Sequence, residues 1–431
     1  MTPGLEIGLA PERLSEGSPE ERAAFGMLTI RDGYQSLSEG FDTYVDAVRA
    51  GPLVSGYHAA EWFAWNWWRL QHEPYSPRSP EWWRAHTMTA IGEGYVWPNI
   101  MFRTDGVRAA VIARPSSNAD AKPFRYLSSH MWFGSSLQMT EAIDTFMTRV
   151  AHRFAEQGVP ESNLHRILTD LRAERSDPDL NERRRLEALL GYDPDEANTD
   201  TIQSLIDDIG QLGRSGVDEL AADAVMGAVT RAETLDNIAN SEGVDGNSAD
   251  AVHFSTAELK DVREQDIAWR QGRQAAQTLR LKTGLGAAHV STMRLAGLLG
   301  TTAPSARKTF GLAPLSFVLN NEKSSKVVLR SKWDAGRRFE LARLLGDHLL
   351  FGTAAPILPA TRAYTYRQKV QRSFAAEFLC PFEVAEDMLH GDFSPEATEE
   401  VAQYFDVSTL TVETLLRNHG RIEREIFVDT A

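Results

Sequence analysis

Apolar residues recur at helical spacing at two places in the first 157 residues of the chain, residues 58–70 and residues 140–157. The second stretch brings five apolar side chains onto one face: Ile143, Phe146, Met147, Val150 and Phe154. A single apolar face is typical of a helix that packs against a sheet or against other helices. The pattern therefore predicts an amphipathic helix at each place.

The residues between these two helices follow the pattern of strands. Residues 95–103 and 107–114 flank Asp105-Gly106, a pair suited to the positive φ angles of a tight hairpin turn. Residues 124–133 have the pattern of a further strand. We therefore predict one α+β domain over residues 27–157, rich in tryptophan and built on a small antiparallel sheet.

The middle of the chain is helical in pattern and acidic in charge. Residues 151–260 hold 23 acidic and 10 basic residues, which accounts for most of the net charge of −15. Residues 240–250 have the composition of a linker. We predict an acidic helical region and linker over residues 158–250. A solvated helical face is the simplest interpretation of its charge, and the alternatives are a docking surface for a basic partner or a nucleic-acid mimic.

Helical and strand-like patterns alternate in the last part of the chain. The pattern predicts helices at residues 266–281, 289–299, 337–350 and 366–378, a hairpin at 315–319 and 326–329, and two short helices around Asp406-Val407-Ser408. We predict one domain over residues 262–431. The fold class expected for the whole chain is α+β and mostly helical.

Three stretches of this last domain carry a resemblance to a known family. They are Arg338-Phe339-x-Leu341-Ala342 leading into Leu345-Gly346 and Leu349-Leu350, then Phe374-Ala375-Ala376-Glu377-Phe378-Leu379-Cys380-Pro381, then Phe405-Asp406-Val407-Ser408 followed by Leu415 and Asn418. In this order, across roughly residues 265–422, they resemble the ImmA/IrrE family of bacterial zinc metallopeptidases. The resemblance implies a zincin-like domain that ends in a helix-turn-helix-like unit.

The chemistry of that family does not carry over to this chain. A His-Glu-x-x-His run supplies two zinc ligands and a general base, but the corresponding positions here hold Arg343, Leu344 and Asp347. The resemblance places the third ligand in residues 368–372, where there is no acid. A guanidinium has no lone pair to offer a metal, and leucine cannot activate water. We therefore predict a degenerate HExxH motif with no catalytic residues, no bound metal and no cofactor.

The degenerate cleft itself has three possible uses. It is formed by Glu340, Arg343, Leu344, Asp347, His348 and Glu377. Arg343 and Asp347 are four residues apart and could pair across one helical turn, which would make the replacement structural. A repurposed ligand pocket is the second possibility. A rebuilt metal site that uses Glu340, Asp347, His348 or Glu377 is the third, and it is disfavoured because His348 is rotated about 100° from Asp347.

Two further groups of residues are candidates for binding. The tryptophans Trp62, Trp65, Trp68, Trp97 and Trp132 could line a ligand or partner pocket, although core packing is the more common use of aromatic residues at helical spacing. The terminal helical unit carries Arg417, His419 and Arg421 as possible DNA contacts. The net charge of −15 disfavours a nucleic-acid partner.

These observations together predict a binding protein. The single cysteine, Cys380, and the absence of a signal-peptide pattern or a long apolar run indicate a cytoplasmic protein without a membrane partner. The resemblance implies a regulatory or defence-linked pseudo-peptidase that recognises a protein partner or a ligand. The alternatives are a DNA-binding transcriptional regulator that uses the terminal unit, and a metallopeptidase-type enzyme with a rebuilt site.

Overall fold

The protein is described here by a computed structural model, which covers residues 4–33, 35–117, 123–159, 161–224, 228–302, 313–321, 324–352 and 355–422. The chain divides into two compact units, Met1–Gln203 and Ser204–Ala431. Both units combine helices with small antiparallel sheets. The mixed and mostly helical composition predicted from the sequence is confirmed.

Short strands make up the sheets of the first unit. They are β1 (Leu5–Pro11), β2 (Phe25–Asp32), β3 (Gln35–Ser36), β4 (Gly40–Asp42), β5 (Ala47–Arg49), β6 (Leu53–Ser55), β7 (Ile100–Thr104), β8 (Arg108–Ala113), β9 (Phe124–Tyr126) and β10 (Met131–Ser135). Strand β2 pairs with β1 along one edge and with β3 and β6 along the other. The remaining strands pair in the orders β5-β4-β9 and β10-β8-β7.

The predicted hairpin is confirmed, and the strand predicted after it is wrong in extent. Strands β7 and β8 pair in antiparallel register around Asp105-Gly106, where Gly106 has a φ of 93°. The stretch 124–133 forms two strands, since β9 pairs with β4 whereas β10 pairs with β8. Period-two alternation shows that residues are extended, but it does not show which strand they pair with.

The helices of the first unit cover the faces of these sheets. They are α1 (Pro19–Ala23), α2 (Gly56–Trp65), α3 (Trp67–His72), α4 (Pro80–His86), α5 (Ser136–Glu156), α6 (Asn163–Ser176) and α7 (Pro178–Leu189), while α8 (Thr199–Leu212) crosses the division between the units. Helix α5 begins with a capping box in which Ser135 and Gln138 satisfy each other's backbone N–H groups. Its apolar face is buried in the core of the unit, as the periodicity predicted.

The second unit contains one small sheet among the described residues and a group of helices. The strands are β11 (Val244–Gly246), β12 (Ser316–Asn320), β13 (Ser325–Val328) and β14 (Ile357–Ala360), in the order β11-β13-β12-β14. The helices are α9 (Arg214–Asp223), α10 (Ala232–Glu242), α11 (Thr256–Arg263), α12 (Ala268–Lys282), α13 (Thr292–Leu298), α14 (Asp334–Phe351), α15 (Tyr366–Leu379), α16 (Phe382–Leu389), α17 (Pro395–Phe405) and α18 (Thr409–Asn418).

The stretch predicted to be a linker is part of the second unit. Its residues 244–246 form β11, which pairs with β13, and Val244 is buried. The prediction was wrong because Gly, Asn, Asp and Ser indicate a break in local structure, whereas a short strand at a sheet edge is held by its partner strand.

Helices α12, α14 and α15 pack closely in the core of the second unit. A Cβ atom on Gly272 of α12 would lie 2.5 Å from the carbonyl oxygen of Val370 in α15. A Cβ atom on Gly346 of α14 would lie 2.6 Å from the ring of Phe374, also in α15. Glycine therefore sets the distance of both neighbouring helices from α15.

The terminal helices form the short two-helix unit that the sequence predicted. Helix α17 ends at Asp406, which adopts the left-handed conformation with a φ of 50°. Ser408 then caps α18 by accepting a hydrogen bond from the backbone N–H of Thr411. This turn places α17 and α18 beside each other, with Val401, Phe405 and Leu415 buried in the core of the second unit.

Candidate functional site

Helix α14, whose sequence resembles a zinc helix, is buried along nearly its whole length. The side chains from Arg337 to Leu350 are buried, with the exception of the partly buried Phe339. Several of these buried residues are charged. A buried charge without compensation costs several kcal/mol, so the partners of these side chains show what the helix is built to do.

Arg343 spans from α14 to α15. Its guanidinium donates to the carbonyl oxygen of Thr361 at 2.6 Å, to the side-chain oxygen of Gln368, and to that of Gln371 at 3.3 Å. The amide groups of both glutamines in turn donate to the carbonyl oxygen of Pro359, at 2.9 and 3.0 Å. Burial lowers the pKa of Arg343 to about 9, and the nearby charge of Arg372 acts in the same direction.

Asp347 is paired with Arg367, and the expected pairing with Arg343 is wrong. Arg367 donates through Nε and Nη2 to the two carboxylate oxygens, at 2.7 and 2.6 Å. Its planar fork matches a carboxylate in this two-point geometry. Arg343 lies one turn away on the same helix, but the oxygen acceptors of Thr361, Gln368 and Gln371 hold its guanidinium.

Helix α9 adds acidic side chains to this group of residues. Glu219 is buried and accepts a hydrogen bond from the hydroxyl of Thr365 at 2.8 Å. Asp223 accepts from the backbone N–H of Arg362 at 2.7 Å. Burial raises the pKa of Glu219 to about 7, against the opposing effect of the Arg367 charge.

These polar residues lie close together between α9, α14 and α15, and we call them the buried charge cluster. Its members are Glu219, Asp223, Arg343, Asp347, Arg367, Gln368, Gln371 and Arg372. Arg367 connects the three helices, because a third guanidinium nitrogen donates to the hydroxyl of Ser215 in α9 at 2.9 Å. Arg372 donates to the carbonyl oxygen of Ala363 at 2.8 Å.

The other residues predicted for the degenerate cleft have separate surroundings. Glu340 accepts from the backbone N–H of Ser331 at 2.9 Å, and Leu344 lies in the hydrophobic core. The ring of His348 lies 4.8 Å from that of His253, and burial lowers the pKa of His348 to about 4.

Glu377 faces α12 and stands apart from the cluster. It accepts a hydrogen bond from the side chain of Gln277 at 3.2 Å, and burial raises its pKa. Burial also raises the pKa of the nearby Cys380 thiol to about 12, so this cysteine stays protonated at neutral pH.

The side chains of the cluster do not fit a zinc ion. Zinc is bound by neutral imidazole, thiolate or carboxylate groups. Here the positions that the resemblance assigns to its histidines hold a guanidinium and a carboxylate, and both oxygens of that carboxylate already accept from Arg367. Within the described part of the chain, no three His, Cys, Asp or Glu residues come together as a possible metal site.

Most of the candidate tryptophans are core residues. Trp62, Trp68, Trp97 and Trp132 are buried in the hydrophobic core of the first unit, and Trp65 is 57% exposed. The indole N–H groups of Trp62 and Trp97 donate to backbone carbonyl oxygens. Four of the five residues are thus packed in the core of the first unit, whereas Trp65 lies at its surface.

The three possible DNA contacts in the terminal unit all have partners within the chain. Arg417 pairs with Glu413 at 3.1 Å, and Arg421 pairs with Glu386. The ring of His419 stacks on Phe382 with centroids 3.5 Å apart, and burial lowers its pKa to about 4. These contacts hold the side chains against the terminal helices.

Sequence reasoning missed the partners that complete the cluster. Arg367, Gln368, Gln371 and Arg372 lie at spacings of one, three and four residues in the first half of α15, and this polar stripe is a signal that could have been used. Glu219 gave no such signal, because it lies 146 residues before Thr365 along the chain.

Comparison of the chain with protein-family models, with curated proteins and with solved structures found no match. Among the described residues, no helix has the length and apolar character needed to cross a membrane.

Proposed function

We propose that this chain is a non-catalytic binding protein with a regulatory or defence-linked role, in which a metallopeptidase-like domain serves as a scaffold for recognition of a protein partner or ligand. The regulatory or defence-linked part of the proposal rests on the resemblance to the ImmA/IrrE family. The non-catalytic part rests on the chemistry of the buried charge cluster.

One observation carries the proposal: Arg343 and Asp347 connect helices instead of facing a substrate. Arg343 donates to oxygen atoms of α15 and of the segment before it, and Asp347 accepts from Arg367 of α15. In a zinc peptidase of this type the metal would be the cation that draws oxygen and nitrogen ligands from two helices together. We infer that the guanidinium of Arg343 takes over this cross-linking role without the metal's reactivity.

The experiment restores the missing ligands in stages. The full variant carries Arg343→His, Leu344→Glu, Asp347→His and either Gln368→Glu or Gln371→Glu, since both glutamines contact Arg343. A matched control carries only the last substitution. Zinc content after dialysis and hydrolysis of unfolded casein are measured for each variant and for the unmodified chain, with and without added zinc.

We expect less than stoichiometric zinc and no hydrolysis for the unmodified chain and the control. We expect close to one zinc per chain for at least one full variant, because imidazole and carboxylate groups then replace the guanidinium. Stoichiometric zinc or zinc-dependent hydrolysis in the unmodified chain would overturn the proposal. If every full variant folds but none binds zinc, only one part of the proposal would be overturned, namely that the domain is a metallopeptidase-like scaffold.

A further inference from the structure

A cavity of about 350 Å³, which we call the α14 pocket, lies between the first turns of α14 and the turn that joins α17 to α18. Buried side chains form its floor, among them Arg338, Leu341 and Val407. Asp334 and Asp406 are exposed and lie at its rim. A cavity with a buried floor and an exposed rim can admit a small molecule, and its volume lies at the lower end of the range of about 300–1,000 Å³ that is usual for ligand sites.

The guanidinium of Arg338 places a positive charge in the floor of the pocket, and its oxygen acceptors are uncharged. It donates through Nε to the carbonyl oxygen of Asp406 at 3.2 Å and through Nη1 to the hydroxyl of Thr292 at 2.9 Å. Through Nη2 it donates to the carbonyl oxygens of Val290, at 2.7 Å, and Phe405, at 3.4 Å. Burial lowers the pKa of Arg338. The residue forms no ion pair with a described carboxylate, so its charge has no direct anionic partner in the described part of the chain.

Nε2 of His289 contacts both charged groups of the pocket. It lies 3.2 Å from Nη2 of Arg338 and 3.1 Å from the carboxylate of Asp406. A ring nitrogen can accept from the guanidinium or donate to the carboxylate, but one nitrogen cannot do both. Either Arg338 or Asp406 therefore keeps unused hydrogen-bonding capacity. Nη1 of Arg338 adds to this capacity, because its two N–H groups meet one described acceptor, the hydroxyl of Thr292.

Both signs of charge line the pocket, and this decides between kinds of ligand. The charged residues of the lining are Arg337, Arg338, Asp334 and Asp406, two of each sign. A simple anion would be repelled by the two carboxylates, and a simple cation would be repelled by the two guanidinium groups. A zwitterion whose charges are close together meets both signs and adds no net charge. The charges of the lining therefore favour a zwitterionic ligand.

The rest of the floor is apolar. Leu341 and Ala402 are buried there, together with Val407. An aliphatic group that packs against these side chains removes apolar surface from water, which favours binding. The lining thus matches a small molecule that has a zwitterionic head and a short aliphatic body.

We propose that the α14 pocket binds a free aliphatic α-amino acid. The carboxylate of the amino acid accepts hydrogen bonds from Arg338, and its ammonium group donates to Asp406 at the rim. Its side chain packs against Leu341, Ala402 and Val407. This inference rests on the proposed function, which takes the chain to act by binding, and it names the class of ligand and the site.

Isothermal titration calorimetry on the full-length chain tests the two charges of the ligand separately. L-valine, L-leucine and L-isoleucine are titrated first, and we expect at least one of them to bind with a dissociation constant of about 1 mM or tighter. For the amino acid that binds most tightly, the deaminated and the decarboxylated analogues are titrated as well. Each analogue loses a charge-assisted hydrogen bond, so each should bind at least about tenfold more weakly.

Asp406→Asn tests the residue that holds the ammonium group. Asparagine tolerates the left-handed conformation of this position, where φ is 50°, so the turn is kept while the charge is lost. We expect the variant to bind the amino acid at least about tenfold more weakly than the unmodified chain does. It should bind the deaminated analogue no more weakly, because that analogue has no ammonium group. An equal loss of affinity for both ligands would overturn the role of Asp406.

Gln403→Trp tests the place of binding. Gln403 and Tyr404 are exposed neighbours on α17, but only Gln403 lines the pocket. We expect Gln403→Trp to weaken binding at least about tenfold and the control Tyr404→Trp to change it less than about twofold. Both variants should keep the circular dichroism spectrum of the unmodified chain.

Three results would overturn the inference. The first is that none of the three amino acids binds, and the second is an affinity that Gln403→Trp leaves unchanged. The third is equal affinity for the amino acid and its deaminated analogue, since the pocket would then be a site for anions.

The two proposals fail separately. Amino-acid binding is measured without zinc or protease substrate, and zinc binding is measured without amino acid. A zinc-free, inactive chain that binds no amino acid would leave the proposed function in place and remove only this inference. Stoichiometric zinc in the unmodified chain would overturn the proposed function and leave the measured amino-acid affinity standing.

Discussion

A buried arginine can hold two helices together as a metal ion does, but its guanidinium cannot activate a bound water as a zinc ion does. Arg343 donates to three oxygen atoms from α15 and from the segment before it. Its charge is permanent under ordinary conditions, even with a pKa lowered by burial to about 9. The residue therefore stabilises the packing of α14 on α15 and offers no lone pair to a metal or a proton.

The pairing of Asp347 gives the first prediction. Asp347→Asn removes one charge of a buried pair and should lower the free energy of unfolding by about 3–5 kcal/mol, because the Arg367 guanidinium is left uncompensated. In a double-mutant cycle with Arg367→Met, the coupling energy should reach about 2 kcal/mol or more. Urea denaturation of the unmodified chain, the two single variants and the double variant measures this coupling energy.

A second cycle serves as the control for this prediction. It combines Asp347→Asn with Arg343→Met, and its coupling energy should stay below about 1 kcal/mol, since these side chains share no hydrogen bond. Equal coupling in the two cycles would contradict the arrangement of the cluster and favour the pair within one helix.

Glu219 gives a prediction on pH dependence. Its pKa is raised by burial to about 7 in the folded protein, while an unfolded glutamate has a pKa near 4.3. Between these values the folded state binds more protons than the unfolded state, so this residue makes the free energy of unfolding fall as pH rises. The fall is at most about 1.4 kcal/mol per pH unit and ends above pH 7.

The measurement compares the unmodified chain with Glu219→Gln by urea denaturation from pH 5 to pH 8. The neutral amide cannot ionise. The difference in free energy of unfolding between the two proteins should therefore change steadily up to pH 7 and then stay constant. Glu233→Gln, at an exposed position on α10, is the matched control and should follow the unmodified chain. A difference that does not depend on pH would show that Glu219 does not titrate in this range.

At the scale of elements, close packing sets the arrangement of the second unit. Gly272 of α12 lies against the backbone of α15, where an added Cβ would meet the carbonyl oxygen of Val370 at 2.5 Å and the backbone nitrogen of Phe374 at 2.7 Å. Backbone atoms cannot move aside as the end of a side chain can. The two helices would therefore have to separate to accept any larger residue.

Gly272→Ala tests this packing. Alanine favours a helix by up to about 1 kcal/mol over glycine, but the forced separation should cost about 1–3 kcal/mol, so we expect a net loss of stability. Gly297→Ala in α13 is the matched control, because an added Cβ there meets no atom within 4 Å. It should leave stability unchanged or raise it, and the same result for both variants in urea denaturation would contradict the close approach.

Local patterns predicted many elements of the fold but little of the cluster. The hairpin at Asp105-Gly106, the helix over residues 140–157 and the position of α14 each follow from the spacing of apolar residues or from turn chemistry. The pairing of Asp347 with Arg367 does not follow from such local patterns. Arg343 and Arg367 both lie within reach of Asp347, and only the packing of α15 decides between them. Glu219 of the cluster lies 128 positions before Asp347 in the chain. Over such a distance no spacing rule predicts that two residues will meet.

The whole molecule is acidic, and its charge bears on the choice of partner. The net charge of −15 gives a field that repels nucleic acid, unless a basic patch outweighs it locally. The terminal unit offers Arg417 and Arg421 as such a patch, but each is paired with a glutamate. Binding of DNA would have to break these pairs against a repulsive field.

We therefore predict that the full-length chain does not bind duplex DNA with useful affinity. Non-specific DNA binding typically has a dissociation constant of about 10⁻⁴ to 10⁻⁶ M at physiological salt. Filter binding to a 30-base-pair duplex under these conditions should therefore give a dissociation constant of about 10⁻⁶ M or weaker. The double variant Arg417→Ala, Arg421→Ala should behave like the unmodified chain. The opposite result would be a tighter affinity that falls steeply with salt and is lost in the double variant. The terminal unit would then be a DNA-binding element, because counterion release by those two side chains would be the source of the affinity.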